Sequence, residues 1–329
     1  HYVDSCGKNN SDGHTILKQE IPPGFPPPHY KFENNKLTKE GFELGRQLFY
    51  DGRLSKDGNF ACASCHQQFA AFATYDHNFS HGFNNAFTIR NAPGLFNLAW
   101  QSEFQHDGGI NHIEVQPLAP MTASNEMAES LDTVIAKLKQ DTHYREMFKA
   151  CFGDETINSQ RILKALAQFT CSIISADSKY DRAKKGLIKL DAYEQRGEAL
   201  FLSHCATCHP PPLFTDFSYR NIGLPVNTYL NDYGRMRITN NKDDSLKFKV
   251  PSLRNVNITF PYMHDGRFNS LRQCIEHYIN GVQKGPTTDL LVVNKISLSR
   301  AQVTDLVQFL RALTDSTFIR DPGFAQPAF

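Results

Sequence analysis

The sequence predicts a mainly α-helical chain that is built from two tandem domains of the same kind. The first observation is a repeated pentapeptide, C-x-x-C-H, which occurs as C-A-S-C-H at Cys62–His66 and as C-A-T-C-H at Cys205–His209. The second is a repeated pair of segments downstream of each pentapeptide. The first pentapeptide is followed by R-N-A-P-G-L-F-N and then H-D-G-G, and the second is followed by L-R-N-V-N-I-T-F and then H-D-G-R. Motifs that recur in the same order are what a duplicated domain leaves in a sequence.

Helical periodicity accounts for much of the remaining pattern. Helices are predicted over 37–50 and 191–204, each leading into one pentapeptide. Two amphipathic helices between them carry the apolar faces Met127, Leu131, Val134, Ile135, Leu138 and Ile162, Leu163, Leu166, Phe169. Ser299 and Gln302 have the spacing of a capping box, which predicts the start of a last helix. The segment 248–258 is predicted to be extended at most, because Pro251 interrupts it.

The chain divides into an arm and two domains. The prolines of I-P-P-G-F-P-P-P cannot sit inside a helix or a central strand, so residues 1–35 are predicted to form an extended arm. One domain is predicted over 36–183 and the second over 184–329, so that each contains one pentapeptide.

Composition and charge argue against several kinds of partner. The 329 residues include 35 Lys and Arg against 34 Asp and Glu, so no basic excess points to nucleic acid. No apolar run approaches the roughly 18 residues that a membrane-spanning helix needs. Four of the eight cysteines lie outside the pentapeptides. Cys151, Cys171 and Cys274 have apolar neighbours and are predicted to be buried, inert thiols, whereas Cys6 lies in a polar stretch without a predicted role.

The pentapeptides are typical of covalent attachment of haem c. In each one, two thiols add to the haem vinyl groups and the adjacent histidine ligates the iron. The predicted attachment cysteines and iron ligands are Cys62, Cys65 and His66 for one haem, and Cys205, Cys208 and His209 for the other. Zinc or redox sites are the alternative for a single C-x-x-C, but both copies end in His and no further pair completes a zinc site. Covalent haem attachment normally occurs outside the cytoplasm, so we expect a periplasmic or equivalent location.

Six further motifs occur in a fixed order. They are F-A-T after the first pentapeptide, R-N-A-P from Arg90, Q-P-L-A-P from Gln116, E-M at Glu126, P-S-L-R-N from Pro251 and T-F-P-Y-M-H-D-G-R-F from Thr259. In these motifs, from about residue 37 to 315, the sequence resembles the bacterial family of dihaem cytochrome c peroxidases and MauG proteins. The resemblance implies two cytochrome c-like haem domains, mainly α, with a haem–haem and calcium interface between them. It also implies a peroxidatic N-terminal haem and an electron-transfer C-terminal haem.

The resemblance implies three polar residues near the N-terminal haem iron. Gln116 and Glu126 match the distal glutamine and glutamate of the family, so Gln116 would orient peroxide and Glu126 would move a proton during O–O cleavage. The alternative is that Glu126 is an ordinary first-turn helix residue, which the helix dipole favours. His81 lies close to the position of a loop histidine that caps this iron in resting peroxidases, with His77 as a competitor. MauG-like members lack this ligand.

At the C-terminal haem, the resemblance implies Tyr278 as the second iron ligand. Peroxidases of the best-known type have methionine at the matching position, and MauG-like proteins have tyrosine. Tyr278 shares a predicted helical face with Leu271 and Ile275, so the alternative is a core tyrosine. Met263 is a less favoured ligand. A phenolate would stabilise ferric iron and lower its potential relative to methionine.

The family also holds a calcium ion between its domains. Asn91, Thr259 and Pro261 match its ligands, which are an asparagine side chain and two backbone carbonyls, and oxygen ligands suit this hard cation.

One residue departs from the family pattern. His106 occupies the position of a tryptophan between the haems, and Trp100 is the only tryptophan in the chain. Histidine carries an electron hole less well than indole, so the family's inter-haem hopping does not transfer directly.

Three functions follow from these observations. The leading hypothesis is an enzyme that reduces hydrogen peroxide at the N-terminal haem with electrons delivered through the C-terminal haem by a small redox protein, of the cytochrome c or cupredoxin type. The second is a MauG-like oxidase that modifies a protein side chain, which Tyr278 favours. The third is a pure electron-transfer cytochrome, against which Gln116 and Glu126 argue. A homodimer is compatible with the resemblance.

Overall fold

The structure is a computed structural model that describes residues 13–294 and 296–328, and it is mainly helical, as predicted. The α-helices in these ranges are α1 (Lys39–Tyr50), α2 (Cys62–Cys65), α3 (Leu118–Thr122), α4 (Leu131–Lys139), α5 (Thr142–Phe152), α6 (Ser159–Cys171), α7 (Lys179–Lys184), α8 (Ala192–His204), α9 (Met236–Thr239), α10 (Leu271–Glu276), α11 (Leu290–Val293) and α12 (Arg300–Arg311). A π-helical turn, His277–Gly281, continues α10. Two short strands, β1 (Tyr219–Arg220) and β2 (Phe248–Lys249), pair antiparallel.

Each half of the chain contains a pair of helices that cross at a glycine. α1 packs on α6, and α8 packs on α12. A Cβ added to Gly45 of α1 would lie 2.0 Å from the Ala165 carbonyl oxygen, and one added to Gly197 of α8 would lie 2.1 Å from the Asp305 carbonyl oxygen. Only glycine permits this approach of the two backbones. The sequences G-R-Q-L-F and G-E-A-L-F at the two crossings are therefore a further repeat, now with a structural reason.

Two apolar clusters pack around these helix pairs. The first includes Phe42 and Phe169, and the second includes Phe201 and Phe309. Residues far along the chain also join the first cluster, since Phe318 and Phe324 are buried there. The segment after α12 thus packs against the first half of the molecule. The domain boundaries at residues 36 and 184 stay a prediction.

The described part of the predicted arm, residues 13–35, contains bends and turns but no helix. Leu17 and Phe32 are buried in the first apolar cluster. The indole Nε1 of Trp100 donates a hydrogen bond of 2.7 Å to the Pro26 carbonyl oxygen, and the Phe25 ring meets the Trp100 ring edge-on. The prolines therefore give an extended segment that is anchored by its apolar side chains. Cys6 and the first twelve residues of the arm lie outside the described residues.

Most predicted helices are confirmed, and one begins later than predicted. The Ser299–Gln302 capping box opens α12 as expected. The predicted helical face that includes Met127 is wrong, because α4 begins only at Leu131 after the cap Ser130. Ala128 adopts a left-handed backbone conformation, with φ of 55°, which interrupts a helix. Among the described helices, none has both the length and the apolarity needed to cross a lipid bilayer.

Candidate active site

Both C-x-x-C-H motifs form helical turns. Cys62–Cys65 is α2, and His66 is its C-cap. Cys205 is the C-cap of α8, and the His209 amide donates to the Cys205 carbonyl oxygen at 2.9 Å. Residues three apart on a helical turn lie on the same face, so the two sulfurs of each motif can reach one edge of a porphyrin.

The two motif histidines are held in the same way. Nδ1 of His66 lies 2.8 Å from the Phe72 carbonyl oxygen, and Nδ1 of His209 lies 3.0 Å from the Phe214 carbonyl oxygen and 3.1 Å from that of Pro251. A carbonyl can only accept, so Nδ1 carries the proton and Nε2 keeps its lone pair. Burial lowers the pKa of both rings and keeps them neutral. Backbone carbonyls that fix Nδ1 are the usual outer partners of a metal-ligating histidine.

One cavity of about 1100 Å³ joins the two motifs. Cys65 and His66 line it on one side, and Cys205, Cys208 and His209 line it on the other. A single drug-sized ligand needs roughly 300–1,000 Å³, so this space is larger than one such ligand requires. Cys62 is half-buried against the first apolar cluster. The thiols, the oriented histidines and the cavity together fit two covalently attached haems.

Within residues 13–294 and 296–328, no three His, Cys, Asp or Glu side chains are grouped as a bound metal ion would require.

We predict that the denatured polypeptide retains two haems, because thioether bonds survive the loss of the fold. Intact-protein mass spectrometry after acid denaturation should give the mass of the chain plus two haems. Replacing both cysteines of one motif by alanine should remove one haem from this mass. A parent protein with one haem or none would contradict the assignment.

Gln116 and Glu126 line the same cavity as His66. Glu126 lies in a turn between α3 and α4, five residues before α4 begins, so the interpretation of Glu126 as a first-turn helix residue is wrong. The turn is fixed by a hydrogen bond of 2.7 Å from the Phe83 amide to the Glu126 carbonyl oxygen. Burial raises the pKa of the Glu126 carboxyl. The protonated form of this carboxyl is thereby favoured more than in an exposed glutamate, which suits a group that must accept and return a proton.

Tyr278 also lines the cavity, together with Met263. It belongs to the π-helical turn that follows α10, and such turns are frequent at functional sites. Burial raises the pKa of its phenol, so a phenolate there needs a cationic partner such as ferric iron. Cys274 lines the same cavity and is only partly buried, whereas Cys151 and Cys171 are buried among apolar residues as predicted.

The structure does not bring His81 to this cavity. The His81 side chain is exposed, its ring packs against Phe87 at 4.5 Å, and the residue pairs with Phe87 in an isolated β-bridge. The competitor His77 is also exposed and bonds to the Tyr75 carbonyl oxygen. A ligand role for His81 stays a prediction that requires this loop to move inward.

Asn91, Thr259 and Pro261, the predicted calcium ligands, line the cavity together. The Asn91 amide Nδ2 donates to the carbonyl oxygens of His77 and Asn78, at 3.0 and 3.2 Å. Both of its protons are thereby used, and Oδ1 is left as the free end of the side chain. The Asn91 backbone amide donates to the His264 carbonyl oxygen at 2.8 Å. This segment therefore already connects the two halves of the chain.

The position predicted to lie between the haems has surroundings that the sequence does not reveal. His106 lines the cavity, and its Nε2 lies 2.8 Å from the Asn91 carbonyl oxygen. His264 stacks on Phe248 with ring centroids 3.8 Å apart and an angle of 11°. Both histidines and Phe248 line the cavity, so this wall contains three rings where the family pattern would place one indole.

A buried ion-pair network lies beside these rings. Arg90 binds Asp107 at 2.6 Å and Asp232 through two bonds of 2.6 and 2.8 Å. R-N-A-P marks Arg90 in the sequence, but no sequence signal identifies Asp232, which lies 142 positions away. The bidentate contact fixes the two halves relative to each other at the cavity.

Comparisons with known proteins agree with the geometry of this site. A family model described as di-haem cytochrome c peroxidase matches residues 39–189. The chain is 37% identical to the methylamine utilization protein MauG of Methylorubrum extorquens, over 87% of this chain and 81% of that protein. It is 34% identical to the cytochrome c551 peroxidase of Nitrosomonas europaea, over 87% of this chain and 82% of that protein. The crystal structure of a MauG-like protein associated with microbial copper homeostasis superposes with a TM-score of 0.85 at 32% identity, covering 94% of this chain and 99% of that one.

Proposed function

This chain belongs to the family of dihaem cytochrome c peroxidases and MauG proteins, and we propose that it reduces hydrogen peroxide to water at the haem bound by His66. The reaction consumes two electrons and two protons and gives two molecules of water. The single observation that carries the proposal is that Glu126 and Gln116 line the same cavity as His66. A cytochrome that only transfers electrons has no need of a half-buried carboxyl in the cavity that would hold its haem.

The residues of this chain have separate parts in the proposed reaction. The haem, when bound, supplies the iron that accepts peroxide and the electrons that break the O–O bond. Glu126 takes the proton from the oxygen that binds and returns it to the oxygen that leaves. The Gln116 amide can donate to one peroxide oxygen and hold it for this transfer.

The haem bound by His209 is proposed to deliver the electrons. Its donor would be a small redox protein of the cytochrome c or cupredoxin type, and the protein would work in the periplasm, where haem c is attached. Homodimer formation stays a prediction. Lys and Arg nearly balance Asp and Glu, which gives no support to nucleic acid as a partner.

A second candidate function is a MauG-like oxidase that modifies a side chain of another protein. Tyr278 favours it, because tyrosine occupies this position in MauG-like proteins, and the residue lines the cavity beside Cys205 and Cys208. The similarity to MauG of Methylorubrum extorquens also supports it. In this case Tyr278 would ligate the second iron as a phenolate and lower its potential relative to methionine.

The two functions are separated by steady-state peroxide turnover. With a reduced cytochrome c or a reduced dye as the donor, the peroxidase should oxidise two one-electron donors for each peroxide over many cycles. A MauG-like oxidase should react with peroxide once at a comparable rate and then turn over slowly with these donors. A spectrum of the resting ferric protein completes the test, since an open iron face gives a high-spin signal. Two low-spin irons and no reaction with peroxide would contradict both candidates.

A calcium ion between the halves is part of the proposal. It would bind Asn91 Oδ1 and the backbone carbonyls of Thr259 and Pro261, which line one cavity. We predict that a calcium chelator lowers peroxide turnover severalfold, because one ion joins segments that are far apart in the sequence. Added Ca²⁺ should restore turnover, whereas Mg²⁺ should not, because Mg²⁺ requires shorter bonds and a near-ideal octahedral geometry and gives up its water ligands reluctantly. Unchanged turnover after complete removal of calcium, checked by elemental analysis, would contradict the site.

A further inference from the structure

A lysine ammonium that is bound only by neutral groups lies at the wall of the cavity. Lys249 is half-buried and lines the cavity together with Gln101 and His106. Its Nζ donates to the Gln101 side-chain oxygen Oε1 at 2.8 Å and to the Glu103 carbonyl oxygen at 2.7 Å. An ammonium has three protons, so one proton of Lys249 is left for a further acceptor.

The Lys249 side chain is held at both of its ends. Its backbone belongs to β2, where it pairs with Tyr219 of β1, and its amide donates to the His106 carbonyl oxygen at 2.7 Å. At the other end, the bonds to Gln101 and Glu103 hold Nζ against the first half of the chain. The ammonium therefore has a fixed place beside the cavity.

The acidic side chains whose charges act on Lys249 are bound to other cations. They are Glu103 and Asp107. Asp107 binds Arg90 at 2.6 Å, and the Glu103 carboxylate pairs with Arg235 at 3.4 Å. Within the part of the chain that the structure describes, no carboxylate forms an ion pair with Lys249 itself.

The charge of Lys249 is therefore only partly compensated by the chain. Burial lowers the pKa of its ammonium to about 8, although the charges of Glu103 and Asp107 act to raise it. The group is still protonated at neutral pH. A buried charge is costly unless it is paired and hydrogen-bonded, so an anion that enters this cavity gains from binding at Lys249.

We propose that Lys249 binds a propionate carboxylate of one of the two covalently attached haems. Propionates are the anionic groups that haem brings into the cavity. A hydrogen bond from an ammonium to a carboxylate is stronger than the bonds to neutral oxygens that Lys249 makes within the chain. The cation would also offset the negative charge of the propionate, and so raise the reduction potential of that haem. The proposal does not depend on which haem reacts with peroxide.

Infrared spectroscopy tests the contact directly. Haem labelled with ¹³C in its propionate carboxyls gives isotope-shifted bands in the ferric-minus-ferrous difference spectrum. Lys249→Met keeps much of the side-chain length and removes the charge, so the labelled bands should move, whereas Lys249→Arg should keep them near the parent position. Lys247→Met is the matched control, because the Lys247 ammonium pairs with Asp244, and the labelled bands should be unchanged.

Spectroelectrochemical titration identifies which haem supplies the carboxylate. In Lys249→Met, the ferric-to-ferrous ratio of one haem at a fixed potential should rise about tenfold, the size expected for a unit charge about 10 Å from the iron. For a one-electron couple this is a fall of about 59 mV in midpoint potential. The potential of the other haem should change much less. Equal potentials in the parent and Lys249→Met proteins would overturn the proposal.

A purely structural role for Lys249 gives a different pattern. Gln101→Leu removes one of its neutral partners, and we expect it to lower the stability to denaturant while both potentials and the labelled bands stay near parent values. Lower stability of Lys249→Met with unmoved labelled bands would overturn the proposal. Changed potentials with unmoved labelled bands would overturn it too, because the anion at Lys249 would then come from the solvent.

Each variant must first show both haems by mass. If Lys249→Met does not retain them, Lys249→Gln repeats the test, since its amide can still donate to Gln101 and Glu103. None of these measurements uses peroxide, so their failure would leave the proposed function standing.

Discussion

Replacing Glu126 by glutamine should lower the rate of the reaction with peroxide by about a hundredfold to ten-thousandfold, equivalent to roughly 3 to 5 kcal/mol of barrier. The peroxide oxygen that binds would lose its proton to Glu126, and cleavage of the O–O bond requires that a proton be returned to the departing oxygen. Glutamine keeps the size and the polarity of Glu126 but cannot titrate. Stopped-flow mixing of the ferric protein with peroxide measures the effect directly. Both haems and the ferric spectrum should be unchanged.

Two further variants make this prediction specific. Glu126→Asp should recover part of the rate, because it restores the titrating group with a shorter reach. Asp132→Asn, which changes an exposed carboxylate in the first turn of α4, should leave the rate unchanged. If Glu126→Gln reacts at close to the parent rate, the carboxyl has no part in the chemistry. The electron-transfer hypothesis would then become the best account of this chain.

The features that the sequence predicted well are those set by neighbouring residues. The capping box at Ser299 and the cap at Asp191 each need only a side chain and an amide three residues on, so local spacing identifies the helix start. The two C-x-x-C-H motifs are local in the same sense. Each histidine then finds its carbonyl partner a few residues away, at Phe72 for His66 and at Phe214 for His209.

The predictions that failed involve competition between local signals. The apolar spacing from Met127 onward fits a helix, but Ser130 provides a stronger start and Ala128 takes a left-handed conformation. The late start of α4, at Leu131, also changes the interpretation of Glu126. In a helix it would have been an exposed first-turn residue, whereas in the turn it lies half-buried at the cavity.

Contacts between segments that are far apart in the chain could not be predicted from the sequence. Three contacts join residues that no sequence periodicity relates. They are the ion pair of Arg90 with Asp232, the stacking of Phe248 on His264, and the hydrogen bond from the Phe83 amide to the Glu126 carbonyl oxygen. The resemblance to the family identified Asn91, Thr259 and Pro261 as a set, and the structure lines one cavity with all three.

The proposed division of labour between the two haems predicts opposite results for their proximal histidines. His66→Ala removes a ligand whose ring is oriented by the Phe72 carbonyl, and the fast reaction with peroxide should fall by more than the roughly hundredfold that loss of an outer partner can cost. His209→Ala, in contrast, should keep the first reaction with peroxide close to the parent rate. It should lose steady-state turnover, because electrons no longer pass through the second haem.

Single-turnover and steady-state measurements on the same two variants distinguish these results. Both variants should be checked for two haems by mass, since the thioether bonds do not depend on the iron ligand and a haem lost during maturation would imitate a loss of function. The structure gives both histidines the same support, with Nδ1 on a backbone carbonyl, so a difference between the variants cannot come from how the rings are held. Under the proposed function the difference arises instead from the residues beyond each iron, with Glu126 and Gln116 assigned to one haem and Tyr278 to the other. If His209→Ala rather than His66→Ala abolishes the first reaction, the peroxide site is at the C-terminal haem and the assignment of Glu126 is wrong.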